Sequence, residues 1–124
     1  MIAATATAGI PHAAWIADKL NLPMVYVRGK AKDHGKENLM EGILKKGQTA
    51  AVIEDLVSTG ESAINSVNAI RTAGGKISYV FSIITFCDVV QQAQKLNYNN
   101  KKDTQLILGW TADPATWGKR MGFE

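Results

Sequence analysis

Two adjacent carboxylates, followed by a stretch rich in hydroxyl groups and glycine, are the residues of this chain best suited to chemistry. Glu54 and Asp55 end an apolar run, and the segment Ser58 to Ser62 reads STGES. Carboxylates accept hydrogen bonds from sugar hydroxyls, whereas hydroxyls and backbone N–H groups at a helix start can hold a phosphate. The segment lacks the Gly-Lys-Ser/Thr ending of a P-loop. The pattern therefore indicates a ligand that is anionic at one end and rich in hydroxyls in the middle, such as a phosphorylated sugar.

A second group of candidate residues is the basic segment from Arg28 to Lys36, which holds four of the 14 Lys and Arg residues and also His34. Local clustering favours a local anionic ligand over general nucleic-acid binding. Aromatic residues are not interleaved with the cluster, so a nucleic-acid surface is the weaker alternative. Gly29 and Gly35 bracket the charges, which is typical of a lid that closes over a site.

The elements that must position these residues alternate between strand and helix. Helical spacing of apolar residues and turn residues at the boundaries predict the order strand, helix, strand, loop, strand, helix, strand. The predicted ranges are Ile2–Thr5, Ile10–Leu22, Met24–Val27, the loop Gly29–Asn38, Gln48–Asp55, Ser62–Ala73 and Ile77–Thr85. This alternation predicts an α/β fold with a mostly parallel central sheet and helices on both faces.

The pattern weakens after Phe86. Asp88–Leu96 is predicted as a helix, and NYNNKKD (97–103) as a turn. The segment TQLILGW (104–110) fits either a last strand or a short helix, and the tail ADPATWGKRMGFE (112–124) is predicted to be irregular. There is no internal repeat or linker, so residues 1–124 are expected to form one domain.

Composition limits the class of protein. The chain has 124 residues and a net charge of +3. It contains no apolar run near the roughly 18 residues of a membrane span and no basic, apolar leader typical of secretion. Its one cysteine, Cys87, excludes an internal disulfide, which favours a reducing cytoplasm.

Three stretches together resemble a known family. VIEDLVSTGESA (52–63) resembles the phosphoribosyl diphosphate (PRPP) binding motif of the type I phosphoribosyltransferases. YVRGKAKDHGK (26–36) resembles the mobile catalytic loop of the orotate phosphoribosyltransferases. The longer stretch ATAGIPHAAWIADKLNLPMVYVR (6–28) resembles the matching stretch of the bacterial members of that family. The resemblance runs in continuous register from about residue 3 to residue 86.

The resemblance implies a type I phosphoribosyltransferase fold and a specific reaction. PRPP loses pyrophosphate and a nitrogen of orotate takes its place, giving orotidine monophosphate for pyrimidine biosynthesis. The transition state resembles an oxocarbenium ion, and negative charge grows on the leaving pyrophosphate, so the chemistry needs donors held in place. Mg²⁺ would enter with the pyrophosphate rather than occupy a protein cage.

The resemblance also implies roles for individual residues. Glu54 and Asp55 would bind the ribose hydroxyls, with Asp55 counted among the catalytic residues. The residues that would bind the 5′-phosphate are Ser58, Thr59, Gly60, Glu61 and Ser62. Those that would contact the pyrophosphate are Thr7, Ala8 and Gly9. On the mobile loop, the implied catalytic residues are Arg28, Lys32 and His34, and Lys30 is a further implied ligand. In the family this loop closes over the neighbouring subunit's site, so a homodimer with the Arg28–Lys36 loop acting in trans is implied.

The chain also departs from the family pattern. Family members carry an N-terminal hood before the first core strand that supplies orotate contacts, and we expect this hood to have no counterpart in the chain. The region after Phe86 looks shortened, and Cys87-Asp88 stands where many members have an arginine. One alternative is therefore a truncated, catalytically inactive relative that binds PRPP or a nucleotide. Another is a phosphoribosyltransferase for a different base, although KDHG (32–35) is typical of the orotate branch.

Overall fold

The computed structural model of the protein describes residues 1–29 and 39–123. The predictions for Lys30, Lys32 and His34 lie outside the described residues. Ten elements follow one another along the chain: β1 (Ile2–Thr5), α1 (Gly9–Leu20), β2 (Met24–Val27), β3 (Met40–Glu41), β4 (Thr49–Val57), α2 (Glu61–Thr72), β5 (Lys76–Thr85), α3 (Phe86–Lys95), α4 (Lys101–Ala112) and α5 (Pro114–Arg120).

The strands form one five-stranded sheet in the order β3-β2-β1-β4-β5. Strand β1 pairs in parallel with both β2 and β4, whereas β3 pairs antiparallel with β2. The predicted α/β class with a mostly parallel sheet is confirmed. The short strand β3 was not predicted, because two residues are too few to show a period-2 pattern.

Helices α1 and α2 cover opposite faces of the sheet. Side chains alternate between faces along a strand, so Ala3 of β1 packs with Ile70 of α2, whereas Ile2 and Ala4 pack with Ala13 of α1. In β4, Val52 belongs to the α2 side and Ile53 to the α1 side. The expectation of helices on both faces is confirmed, and burial on both faces explains the continuous apolar run of this central strand.

The chain divides into two compact units. One comprises Met1–Asp55 with Gly60–Ile83, and the other comprises Leu56–Thr59 with Ile84–Glu124. The single-domain description of residues 1–124 stays a prediction. Within the second unit, α3 packs on α4 and α4 packs on α5. The rings of Phe86 and Trp110 are in edge-to-face contact, with 5.6 Å between the ring centroids.

Helices account for the C-terminal segments that the sequence left open or mispredicted. The segment 104–110 lies in α4 and is helical. The turn predicted over 97–103 was too long, because Asn100 caps α4 by accepting a hydrogen bond from the Asp103 N–H at 2.9 Å and residues 101–103 are already helical. The prediction of an irregular tail was wrong. Asp113 caps α5 and Pro114 occupies its first turn, which is a strong helix start, but a helix of seven residues is too short for a periodic pattern.

The first unit has an apolar groove on the α1 side of the sheet. It is about 660 Å³ in volume and includes Ile16, Ile53, Phe81 and Ile83. Phe81 and Ile83 of β5 are exposed.

None of the helices in the described part of the chain has the length and apolar character needed to cross a membrane.

Candidate functional site

The two carboxylates lie at the carboxyl end of β4 but differ in their surroundings. Glu54 is 4% exposed, whereas Asp55 is partly exposed. Alternation along the strand places Glu54 on the α2 side with Val52 and Asp55 on the α1 side with Ile53. The site therefore combines one acid that is withdrawn from water with one that reaches it.

Glu54 has an unusual electrostatic environment. Its Oε2 atom is buried and has no hydrogen-bond partner among the described residues. Burial, followed by the neighbouring Asp55 carboxyl, raises the pKa of Glu54 to about 7, and the hydroxyl of Thr5 partly opposes this shift. A buried carboxyl oxygen without a donor is costly to the fold, so Oε2 is well suited to accept a hydrogen bond from a ligand.

The turn after β1 comes next to this carboxylate. The Ala6 N–H donates to the Val27 carbonyl at 2.8 Å, and the Ala6–Thr7 peptide bond is cis. A Cβ atom on Gly9 would lie 2.8 Å from the Ile53 carbonyl oxygen and 3.6 Å from the Glu54 Cα. Glycine therefore lets the N-terminus of α1 approach β4 closely, and the structure brings Gly9, the last residue of the predicted Thr7–Gly9 segment, beside the backbone of Ile53 and Glu54.

The predicted phosphate loop lies between β4 and α2. Gly60 is the residue before α2 and adopts a left-handed conformation, with φ of +83°, which favours glycine. Its carbonyl accepts from the Ile64 N–H at 2.9 Å, so Glu61 and Ser62 lie in the first turn of the helix. N–H groups in a first helical turn have no partner within the helix and can bind an anion. Ser58 and Thr59 belong to the second unit, and their contact with a phosphate stays a prediction.

Arg28 lies in a different part of the first unit. It lines a cavity of about 520 Å³ with Asn65, Asn68 and Thr72 of α2, and neither Glu54 nor Asp55 is among the described residues that line it. Its Nη2 atom is 3.5 Å from Oε1 of Glu41 on β3. The structure thus does not place Arg28 in one cavity with the carboxylates.

Two buried hydroxyls next to Glu54 were not predicted. The side chains of Thr5 and Ser66 are hydrogen bonded to each other, with 2.9 Å between their oxygen atoms. Ser66 falls on the buried stripe of α2 with Ala63 and Ile70. A serine at a core position of an amphipathic helix is a signal that could have identified it.

Comparison with known proteins gives a consistent result. The family model of the phosphoribosyl transferase domain matches residues 1–117. An orotate phosphoribosyltransferase of Enterococcus faecalis is 44% identical over 141 residues, covering 96% of this chain and 67% of the relative. One from Bacillus cytotoxicus is 58% identical over 86 residues, covering 69% of this chain and 41% of the relative. The chain thus spans about two thirds of the Enterococcus relative's length.

Solved structures agree with the fold. The crystal structure of orotate phosphoribosyltransferase from Aeropyrum pernix matches with a TM-score of 0.64 and 26% identity, covering 80% of this chain and 66% of that one. Adenine phosphoribosyltransferase from Saccharomyces cerevisiae matches with a TM-score of 0.60 and 19% identity, covering 76% of this chain and 59% of that one. At 19% identity the yeast structure supports the fold alone. With its sheet topology, its paired carboxylates and these matches, the chain belongs to the phosphoribosyltransferase family, in its orotate phosphoribosyltransferase branch.

Proposed function

We propose that this chain is an orotate phosphoribosyltransferase, which transfers the phosphoribosyl group of PRPP to orotate and releases pyrophosphate and orotidine monophosphate. The observation that carries the proposal is the carboxylate pair at the end of β4, where buried Glu54 keeps one oxygen without a donor. Ribose hydroxyls are donors that suit this oxygen and the partly exposed neighbour Asp55.

The first unit offers donors for both charged ends of PRPP. The start of α2 at Glu61 and Ser62 would bind the 5′-phosphate, and the Thr7–Gly9 segment at the start of α1 would face the pyrophosphate. Both are helix N-termini, where N–H groups and the helix dipole favour negative charge. Held donors of this kind stabilise charge that grows on the leaving group.

Mg²⁺ would neutralise the pyrophosphate and help it leave. The described residues contain no group of three or more His, Cys, Asp or Glu side chains that could hold a metal. We propose that the ion is held by the substrate's phosphate oxygens and water, which is the usual state of Mg²⁺ in phosphate chemistry. We assign no protein residue as its ligand.

We further propose that the chain acts as a cytoplasmic homodimer, with the Arg28–Lys36 loop serving the neighbouring subunit. The resemblance of YVRGKAKDHGK (26–36) to the family's mobile catalytic loop supports this proposal. Lys32 and His34 would meet the pyrophosphate when the loop closes.

The alternative is a relative that binds PRPP without turnover, because the chain covers about two thirds of the curated relative that it matches. Mixing the protein with PRPP, Mg²⁺ and orotate and following the orotate absorbance decides between the two. Turnover supports the transferase, whereas PRPP binding without turnover supports the binding relative. A protein that neither binds PRPP nor turns over the substrates would contradict both proposals.

The site assignment is tested with the double variant Glu54→Gln, Asp55→Asn. Because both acceptors of the ribose hydroxyls lose their charge, we expect PRPP affinity, measured by calorimetry with Mg²⁺, to fall by at least about tenfold. Asp18→Asn, which neutralises an exposed acid on α1, is the control and should bind as the wild type does. Unchanged PRPP affinity in the double variant would contradict the assignment of Glu54 and Asp55 to the ribose hydroxyls.

A further inference from the structure

Two hydroxyls lie behind the carboxylate pair, between β1 and α2. Thr5 is the last residue of β1 and Ser66 lies in α2. They are 5% and 1% exposed, and their oxygens are 2.9 Å apart. An aliphatic pair of similar shape would fill this space without the cost of burying polar groups. One interpretation is purely structural: the two hydroxyls are buried in the core and each serves only as the hydrogen-bond partner of the other.

The direction of the hydrogen bonds favours a different interpretation. Each hydroxyl has one proton to donate. In the parallel pairing of β1 with β4, Ala4 lies opposite Ile53, so the next residues, Thr5 and Glu54, are neighbours whose side chains share the α2 side of the sheet. The Thr5 hydroxyl also lowers the pKa of the Glu54 carboxyl, which is the effect of a donor on an acid. Either hydroxyl could donate in the 2.9 Å contact between Thr5 and Ser66; we assign the Thr5 proton to the neighbouring Glu54 carboxyl and therefore the donor role between the hydroxyls to Ser66. The chain of donors then runs from Ser66 to Thr5 to Glu54.

The other carboxyl oxygen of Glu54, Oε2, is the atom that can accept a hydrogen bond from a ligand. This oxygen is buried with no hydrogen-bond partner among the described residues. The charged group beside it, in the part of the chain that the structure describes, is the Asp55 carboxyl. The start of α1 closes in through Gly9, and that contact presents backbone rather than a charged side chain.

We infer that Thr5 and Ser66 are positioning residues for Glu54: they hold one oxygen of its carboxyl in place so that Oε2 is presented to a ribose hydroxyl of the substrate. The inference rests on the proposed function, because it assumes that Glu54 binds the ribose. Thr5 and Ser66 themselves touch no substrate and act through Glu54. The arrangement fixes an acceptor before the ligand arrives, which is how second-layer contacts sharpen a binding site.

The first test uses PRPP binding with Mg²⁺, measured by calorimetry. Ser66→Ala removes the first donor in a helix that tolerates alanine well, and Thr5→Val removes the second while keeping the shape. We expect each to weaken PRPP binding by about tenfold, whereas Thr5→Ser, which keeps the hydroxyl, binds nearly as the wild type does. Thr104→Val is the control, because it removes a buried hydroxyl that bonds to Asn99 and Asn100 in the second unit. Wild-type affinity in folded Ser66→Ala or Thr5→Val overturns the inference.

The second test needs no ligand and separates the inference from the proposed function. The Glu54 side-chain carboxyl carbon is followed by NMR as the pH is raised. We expect Thr5→Val to titrate at a higher pH than the wild type and Thr5→Ser to titrate close to it, an effect that a merely space-filling role would not produce. Identical titration in wild type and Thr5→Val overturns the inference. If the wild type binds no PRPP, the proposed function fails, and the titration alone still decides whether the donor chain exists.

Discussion

At the scale of single residues, the adjacent acids of this chain are not equivalent. The β4 pleat turns Glu54 toward α2, where it is buried, while Asp55 remains partly exposed. The sequence places two acids side by side, but only the pleat and the covering helix reveal that one of them is desolvated. A buried acid that lacks a donor on one oxygen destabilises the folded protein when it ionises, which is a common property of residues that bind or react.

Stability should therefore depend on pH through Glu54. Its pKa is about 7 in the folded protein against an ordinary value of 4.5, so between these values the folded state binds the proton more tightly. The contribution is fully present below about pH 4.5 and is lost as the pH rises through 7. Relative to Glu54→Gln, we expect the wild type to lose at most about 3 kcal/mol of unfolding free energy between pH 5 and pH 8.

Urea unfolding of both proteins at several pH values measures this difference. The Glu54→Gln variant serves as the reference because it has the same shape and no titrating group, so contributions of other residues cancel. A difference between the two proteins that stays constant from pH 5 to pH 8 would contradict the raised pKa of Glu54.

At the scale of elements, all six strands and helices predicted before Phe86 were found, because each has either an apolar run or a helical stripe long enough to read, and α3 (Phe86–Lys95) confirms the helix predicted over Asp88–Leu96. Helix α5 was missed because its signal lies in Asp113 and Pro114 rather than in periodicity. The sequence also identified Glu54 and Asp55, but not Thr5 and Ser66, whose roles depend on a contact across 61 positions of the chain. Local patterns cannot reveal such a contact.

The close approach of α1 to β4 gives a prediction at this scale. In Gly9→Ala the new Cβ would meet the Ile53 carbonyl oxygen at 2.8 Å, so the helix or the strand must shift. We expect a loss of about 1–3 kcal/mol of stability and weaker PRPP binding, because the shift moves the turn beside Glu54. Thermal unfolding and calorimetry measure the two effects.

Gly109→Ala is the matched control, since it adds the same methyl group to another helix. The nearest atom outside its own helix would be Nε1 of Trp117 at 3.6 Å, which is ordinary contact. Alanine is the better helix former, so stability should rise by up to about 1 kcal/mol. If Gly9→Ala behaves like Gly109→Ala, the contact between α1 and β4 is not tight.

At the scale of the whole molecule, the chain is shorter than its relatives within the matched region itself. The alignment with the Enterococcus faecalis relative is 141 residues long, which exceeds the 124 residues of the chain. The relative therefore contains residues inside the aligned region that this chain does not. The 86-residue match to the Bacillus cytotoxicus relative reaches 58% identity, so similarity is concentrated in part of the chain. The expectation that the region after Phe86 is shortened stays a prediction.

The proposed exchange of loops between subunits is also a property of the whole molecule. A lid variant (Lys32→Ala, His34→Ala) and a site variant (Glu54→Gln, Asp55→Asn) should each be inactive. When equal amounts are unfolded and refolded together, half of the dimers pair one chain of each kind. If the loop acts in trans, each such dimer has one intact site, so roughly a quarter of the wild-type activity should return.

Orotate consumption by the refolded mixture measures this recovery, and native mass spectrometry confirms that mixed dimers have formed. The control mixes the lid variant with Arg28→Ala, a pair in which every loop is defective and no activity returns in either arrangement. Mixed dimers without recovered activity would show that the loop serves its own subunit. In that case Arg28, whose Nη2 atom is 3.5 Å from Oε1 of Glu41, would serve the pyrophosphate bound by its own subunit.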